Sequence, residues 1–145
     1  MKQFILLALL STFAINTYAQ STIVGTWKTI DDKTGEAKSL VKIYKFKGAY
    51  YGKVVKLFLT PDVVCEKCGK KDYRRGKKVN GMFVISKMKA SKDLKSAKGG
   101  TILDPKSGSI YGCTLKVAEK GKKLKVRGFK GISALGRTQT WIRVK

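Results

Sequence analysis

The sequence contains no histidine among its 145 residues. Histidine is the side chain that enzymes use most often as a general base near neutral pH, and it is also the commonest metal ligand. Its absence argues against acid–base catalysis through an imidazole and against the metal sites that depend on one. We therefore expect no bound metal and no cofactor.

Acidic residues are scarce as well, since Asp and Glu together number 9 against 32 Lys and Arg. Most of them fall in predicted turns, such as Asp31, Asp32 and Glu36 in one turn and Asp104 in another. No two carboxylates are placed on facing strands, where one could donate a proton while the other accepts one. No nucleophile lies beside a base either, and the sequence predicts a protein that is not an enzyme.

Long apolar runs are missing after the start of the chain, and no later stretch approaches the ~20 apolar residues that a membrane-spanning helix needs. The start itself has a basic residue, Lys2, a mostly apolar segment over 4–15 and the small residue Ala19 at a cleavage point. This order is typical of a secretory signal peptide, and a buried N-terminal helix is the alternative. We expect removal of residues 1–19, and we expect residues 20–145 to form one domain that is periplasmic or secreted.

What the sequence has in excess is positive charge, with a formal net charge of +23 at pH 7. A field of this strength attracts anions from beyond contact distance. Sites that clamp phosphate or carboxylate favour arginine, because its guanidinium binds two oxygens at once. Most of the bases here are lysines spread singly along the chain. We therefore expect diffuse attraction to anionic surfaces and no nucleic-acid partner.

Turn signals divide the chain into short runs that alternate between apolar and polar residues. In one such run Tyr111, Cys113 and Leu115 face one way and the residues between them face the other. Asp104-Pro105 and Gly108 are typical of a type I turn closed by a left-handed residue. The pattern predicts about eight strands, at 23–30, 38–47, 49–59, 81–88, 99–104, 108–118, 122–129 and 137–144.

Helical periodicity is not sustained anywhere, and only 89–98 is a candidate for a helical turn. Many short strands with tight turns are typical of an antiparallel sandwich or barrel. A closed barrel has no exposed strand edge. The predicted fold is therefore all-β: a single antiparallel up-and-down β-barrel.

The end of the chain, 124–144, contains two strand-like runs joined by a glycine-rich corner, with arginines spaced among aromatics. This segment closely resembles the C-terminal signature of a bacterial secreted family catalogued as domain of unknown function 2147. The resemblance extends over most of the mature chain. It implies a small exported barrel of the calycin or lipocalin type with no established activity. The supporting matches are Gly25-Thr26-Trp27, Tyr51-Gly52-Lys53-Val54-Val55, Gly100, Asp104-Pro105, Gly108, Tyr111 and Trp141.

The opening of the first strand resembles the Gly-x-Trp of lipocalin-type barrels, in which the tryptophan closes one end and an arginine of the last strand stacks on it. Arg143 is the candidate arginine here, with Arg137 as the alternative. Such a cation–π contact is worth ~1–2 kcal/mol when desolvated. This resemblance implies structural roles for Gly25, Trp27 and Arg143. The other possibility is that both tryptophans are ordinary core residues.

Three cysteines allow several arrangements. A disulfide between Cys65 and Cys68 is expected in an oxidising compartment, and its small ring would pin the long loop more than it would stabilise the domain. Neighbouring lysines would lower the thiol pKa of a redox pair. A zinc site would need four ligands, and Cys113 supplies only a third. A bridge from Cys113 to the loop, or three free thiols, are the remaining options. The position of Cys113 on the apolar face of its strand predicts a buried, inert thiol.

The same loop is basic between 67 and 78. Its bases could hold an anionic lipid headgroup or the carboxylates of peptidoglycan, and a mobile, solvated loop is the alternative. The candidates for contact with an anionic surface are Arg74, Arg75, Lys77 and Lys78.

We expect a monomer that binds a small apolar or amphipathic ligand inside the barrel. Eight strands leave room either for one small ligand or for a lumen filled by side chains. The aromatics predicted to face the core and surround a pocket are Tyr44, Phe46, Tyr111 and Trp141. The alternative function is an envelope-associated module with a filled barrel that binds anionic surfaces through its basic face. A large cavity would favour the first hypothesis.

Overall fold

The computed structural model describes residues 21–144, in which eight antiparallel strands form a closed barrel. The predicted signal peptide, 1–19, lies outside the described residues. Consecutive strands pair around the barrel, and the last strand pairs with the first. The predicted all-β, up-and-down barrel is confirmed. The strands are β1 (Gly25–Ile30), β2 (Ala37–Phe46), β3 (Ala49–Leu57), β4 (Phe83–Ala90), β5 (Ser96–Asp104), β6 (Ser109–Ala118), β7 (Lys123–Phe129) and β8 (Gly136–Arg143).

Alternation within the strands explains how the interior is built. In β2, Ser39, Val41 and Ile43 are buried and the residues between them are more exposed. Successive side chains of a strand point to opposite faces, so one set fills the barrel and the other meets solvent. A β-bulge in the β2–β3 pairing shifts this alternation in β3. As a result, Val54 and Leu57 both line the interior.

The prediction of a helical turn at 89–98 is wrong. β4 runs to Ala90 and β5 begins at Ser96, so the segment between them is a tight turn. The backbone nitrogen of Ser91 donates to the Ser96 carbonyl at 2.9 Å. The Asp93 carboxylate accepts hydrogen bonds from the Ser91 hydroxyl and the Lys95 backbone. These local bonds satisfy the backbone of the turn without a helix. Within residues 21–144, no helix has the length and apolar character needed to cross a membrane.

One end of the barrel is sealed. The β2–β3, β4–β5 and β6–β7 turns lie at this end, together with the start of β1 and the end of β8. Large inward side chains pack beneath them, and none of the following is more than 1% exposed: Ile23, Trp27, Ile43, Met88, Leu115 and Leu124. The main core of the protein therefore extends to this end.

Trp27 and Arg143 close the sealed end together. The Arg143 guanidinium lies 4.1 Å from the centre of the Trp27 ring, and it donates to the carbonyls of Val24 and Thr22. Gly25 has a φ of +135°, and a Cβ there would lie 2.5 Å from a guanidinium nitrogen, so another residue would strain the backbone and displace the arginine. The predicted stacking of Arg143 on Trp27 is observed, so Arg143 takes the place for which Arg137 was the alternative.

Candidate functional site

The other end of the barrel encloses a cavity of about 1200 Å³. It opens between the β1–β2, β3–β4, β5–β6 and β7–β8 loops, which lie at the end opposite Trp27. Pockets for small molecules typically measure about 300–1,000 Å³, so this space is large enough for a ligand. The alternative hypothesis assumed that side chains fill the lumen. In this half of the barrel they do not.

The deeper wall of the cavity is apolar. Five buried residues on five different strands contribute to it, because each occupies an inward position of its strand. A wall of this kind favours the apolar part of a ligand, which loses contact with water there and leaves no hydrogen bond unmade. The five residues are Val41, Val54, Val84, Val126 and Trp141.

Polar groups in the wall are paired with one another. The hydroxyls of Thr29 and Ser39 lie 2.8 Å apart, and the Trp141 indole nitrogen donates to the Gln139 side-chain oxygen at 3.2 Å. The Gln139 amide nitrogen donates in turn to the Asp32 carboxylate at 2.9 Å. In residues 21–144, no buried side-chain nitrogen or oxygen lacks a hydrogen-bond partner. The wall therefore has no buried, unpaired polar group that a strongly polar ligand would be needed to satisfy.

Gly128 leaves part of the cavity open. It follows Leu124 and Val126 on the inward face of β7 and lines the cavity. A Cβ at this position would meet Tyr111 Cβ at 3.5 Å and Ile102 Cγ2 at 3.6 Å, which are ordinary van der Waals distances. The backbone therefore has room for a side chain here, and a large one would extend into the space that a ligand would occupy.

Charged side chains form the rim. Lys130 lies above the Tyr111 ring, with its ammonium 5.3 Å from the ring centre. Arg137 pairs with Asp32 of the β1–β2 loop. Five bases and three acids line the cavity, so positive charge prevails: Lys38, Lys67, Lys106, Lys130 and Arg137 against Asp62, Glu66 and Asp104. A ligand with one polar end would place that end at the rim and its apolar part in the barrel.

The four aromatics predicted to surround the pocket divide into two pairs. Tyr111 and Trp141 lie in the cavity wall as expected, and their contact with a ligand stays a prediction. The prediction that Tyr44 and Phe46 face the core is wrong. They alternate with the inward residues of β2 and therefore lie on the outer face. There they form an aromatic cluster with Phe83, whose ring centre is 6.3 Å from that of Tyr44 and 5.6 Å from that of Phe46.

Of the four bases predicted to contact anionic surfaces, Arg74 is wrongly assigned. Its side chain is 8% exposed and pairs at 2.8 Å with Asp72, which is 10% exposed. Its Nη1 donates to the Phe83 carbonyl at 3.0 Å. Hydrogen bonding from Arg74 holds the pKa of the Asp72 carboxyl below its usual value. The guanidinium therefore serves the loop itself and is not available to an external surface.

The other three bases of that set lie on the surface of the loop. Arg75 donates to the Cys68 carbonyl at 2.6 Å, Lys78 pairs with Asp62 at 3.2 Å, and Lys77 is exposed. Their contact with an anionic surface stays a prediction.

Cys65 and Cys68 form a disulfide, as expected. Both residues are fully buried, in a small cluster with Met82 and Leu103, which withholds the sulfurs from thiol exchange. Cys113 is a free, buried thiol, and burial raises its pKa to about 12. In the part of the chain that the structure describes, no group of three or more potential ligands is placed to hold a metal ion.

Several residues of the site were missed by the sequence analysis. Ser39 and Gly128 had a usable signal, because each stands two residues from an inward valine on the same strand. No sequence signal indicated the contact between Asp32 and the side chains of Arg137 and Gln139, since it depends on how two distant loops close around the mouth.

Comparison with known proteins agrees with this architecture. A family model described as "Uncharacterized protein conserved in bacteria (DUF2147)" matches residues 25–143, from the first residue of β1 to the last residue of β8. Protein HP1028 from the human pathogen Helicobacter pylori, described as belonging to the lipocalin family, has a similar structure. The TM-score is 0.71, the sequence identity is 19%, and the match covers 84% of this chain and 82% of that protein. This likeness concerns the fold alone. No curated protein matches the sequence.

Proposed function

Because this chain belongs to the bacterial protein family DUF2147, whose model spans the whole lipocalin-like barrel, we propose a function that resides in the barrel. The protein binds a small apolar or amphipathic ligand in its cavity. The observation that carries this proposal is the cavity of about 1200 Å³ with its apolar wall, open at one end.

The two ends of the barrel support a defined orientation of the ligand. The sealed end is packed around Trp27 and Arg143, so a ligand enters through the mouth. An apolar portion gains most by lying against the valines and Trp141, since burial of apolar surface is worth about 25 cal/mol per Å². A polar or anionic end of the ligand remains at the rim beside Lys106 and Lys130.

We propose a binding role and no catalytic step. The free thiol of the chain, Cys113, is buried and strongly disfavours the thiolate that a nucleophile would need. Asp32 is held by Arg137 and Gln139, and Asp104 accepts hydrogen bonds within its own turn. These carboxylates are thus engaged in holding loops at the mouth.

We also propose that residues 1–19 direct export to the periplasm or beyond. The disulfide between Cys65 and Cys68 supports this proposal, because structural disulfides persist in oxidising compartments and are rare in the cytosol.

Filling the cavity tests the proposed function. We predict that Gly128→Phe, which places a ring in the cavity, weakens the binding of anilinonaphthalene sulfonate at least tenfold, or ~1.4 kcal/mol. This anionic probe fluoresces in apolar surroundings, and a fluorescence titration gives its dissociation constant. Lys116→Phe is the matched control, since it adds the same ring on the outer face of β6. Equal affinity in the wild type and both variants, with the fold intact, would contradict cavity binding.

A further inference from the structure

The mouth of the cavity carries aliphatic side chains that are unusually exposed. Leu59 and Val63 in the β3–β4 loop are 65% and 42% exposed, and Ile132 and Leu135 in the β7–β8 loop are 63% and 75% exposed. Single exposed apolar residues are ordinary on a protein surface, but a group of them around one opening marks an interaction site.

These four residues, the apolar rim, stand on opposite sides of the opening. The strands of the closed barrel follow one another in sequence order, so the β3–β4 and β7–β8 connections are half a turn apart. Leu59, Val63 and Leu135 also line the cavity that opens between the two loops. A flat, extended surface laid across the mouth can therefore contact both loops at once.

Positive charge accompanies the apolar rim. Lys67, Lys106 and Lys130 line the cavity mouth, and none of them takes part in an ion pair formed within residues 21–144. Of the three acids that line the cavity, Asp62 is paired with Lys78 and Asp104 accepts hydrogen bonds inside its turn, which leaves Glu66 against the three lysines. A surface that combines exposed aliphatic side chains with unpaired lysines is complementary to a bilayer that contains anionic lipids.

We propose that the mouth of the barrel docks on the surface of a bilayer containing anionic lipids. Leu59, Ile132 and Leu135 enter the boundary between headgroups and acyl chains, and the rim lysines lie among the headgroup phosphates. The cavity then opens directly onto the lipid, so an amphipathic ligand passes between bilayer and barrel without crossing water. This last consequence rests on the proposed function, whereas the docking does not.

Vesicle co-sedimentation of residues 20–145 tests the docking. The wild type is expected to sediment with vesicles of phosphatidylglycerol and phosphatidylcholine at physiological ionic strength, and not with vesicles of phosphatidylcholine alone. The double variant Leu59→Ser/Leu135→Ser is expected to bind the anionic vesicles at least about tenfold more weakly, because two apolar contacts with lipid are lost. Lys106→Glu/Lys130→Glu is expected to weaken the same binding through charge reversal.

The matched control is Phe46→Ser/Ile142→Ser, which removes two apolar side chains, 38% and 40% exposed, from the ends of β2 and β8 at the sealed end. We expect its vesicle binding to equal that of the wild type. The proposal is overturned if the wild type ignores anionic vesicles. It is also overturned if the rim variant binds as well as the wild type, which would show purely electrostatic adsorption, or if the control variant alone loses binding.

The proposals of ligand binding and of membrane docking can be tested separately. Ile132→Ser changes a rim residue that does not line the cavity, so its probe binding without vesicles reports on the cavity and its vesicle binding reports on the docking. Retained probe binding in a variant whose vesicle binding is also unchanged removes the docking proposal and leaves the proposed function standing.

Discussion

Arg74 fastens the β3–β4 loop to the barrel through one carboxylate and one carbonyl. Its Nε and Nη2 donate to the Asp72 carboxylate at 2.9 and 2.8 Å, and its Nη1 donates to the carbonyl of Phe83, the first residue of β4. Since both charged side chains are about nine-tenths hidden from solvent, each one depends on the other for its hydrogen bonds.

We predict that Arg74→Ala lowers the free energy of unfolding by about 3 kcal/mol, because it leaves the Asp72 carboxylate nearly buried and uncompensated. Urea denaturation measures this change. Arg75→Ala is the control: its side chain is exposed and gives one hydrogen bond to the Cys68 carbonyl, so a much smaller effect is expected. A similar loss in both variants would contradict the assigned role of Arg74.

The same pair makes a pH-dependent contribution whose sign follows from the lowered pKa of Asp72. A carboxyl with a depressed pKa in the folded state stabilises the protein above its ordinary value of 3.8 and loses that contribution as the pH falls below it. The stability difference between the wild type and Arg74→Ala should therefore be constant near neutral pH and shrink below pH 3.8.

At the scale of single residues, sequence reasoning succeeded where strand alternation decides the outcome. Cys113 and Tyr111 share the inward face of β6, as predicted. The prediction that Tyr44 and Phe46 face inward is wrong because both alternate with the inward set to which Ile43 belongs, and aromatic character alone does not place a strand residue inside. The burial of Arg74 was not predictable, since it depends on the loop conformation that brings Asp72 and the Phe83 carbonyl together.

Among the structural elements, the junction of β1 and β8 differs from the other strand pairs. The two strands pair only at Trp27 with Arg143 and at Lys28 with Ile142. Toward the mouth their connection is made by side chains, since the Asp32 carboxylate accepts hydrogen bonds from Arg137 and Gln139. This contact, the mouth latch, closes the side of the cavity where the backbone ladder is absent.

We predict that Asp32→Ala increases the dissociation rate of a bound probe several-fold while changing overall stability by less than about 1 kcal/mol, because the latch is solvent-exposed. Stopped-flow release of anilinonaphthalene sulfonate measures the rate. Glu36→Ala in the same loop is the control, since no ion pair in residues 21–144 involves Glu36. Unchanged release from Asp32→Ala would show that the latch does not limit ligand exchange.

Most strands were predictable because turn residues and alternation agree along the chain, and the predicted and observed limits of β1, β6, β7 and β8 are close. The conformation of the long β3–β4 loop was not predictable. Its Cys65–Cys68 segment packs on the β5–β6 turn so closely that a Cβ on Gly108 would overlap the Lys67 carbonyl. Such a contact joins two loops far apart in sequence, and no local pattern reports it.

At the scale of the whole molecule, the two halves of the barrel differ in the size of their inward side chains. Trp27, Ile43 and Leu124 fill the sealed half, whereas several strands of the open half place small residues inward beside the larger Tyr111 and Trp141. The number of strands permits either a filled or a hollow barrel, so the fold prediction alone did not decide between them. The inward residues that leave the open half hollow are Ser39, Val41, Val54, Val84, Val126 and Gly128.

The most direct test of ligand binding is native mass spectrometry of residues 20–145 purified from an exporting host, with a denatured sample as the reference. We predict an additional mass on the native wild-type protein that disappears on denaturation, and a bare native protein for the Gly128→Phe variant. The denatured mass should also be lower by two protons for the Cys65–Cys68 disulfide. A native wild-type protein with no additional mass, together with no affinity for the fluorescent probe, would contradict the proposal that this barrel binds a ligand.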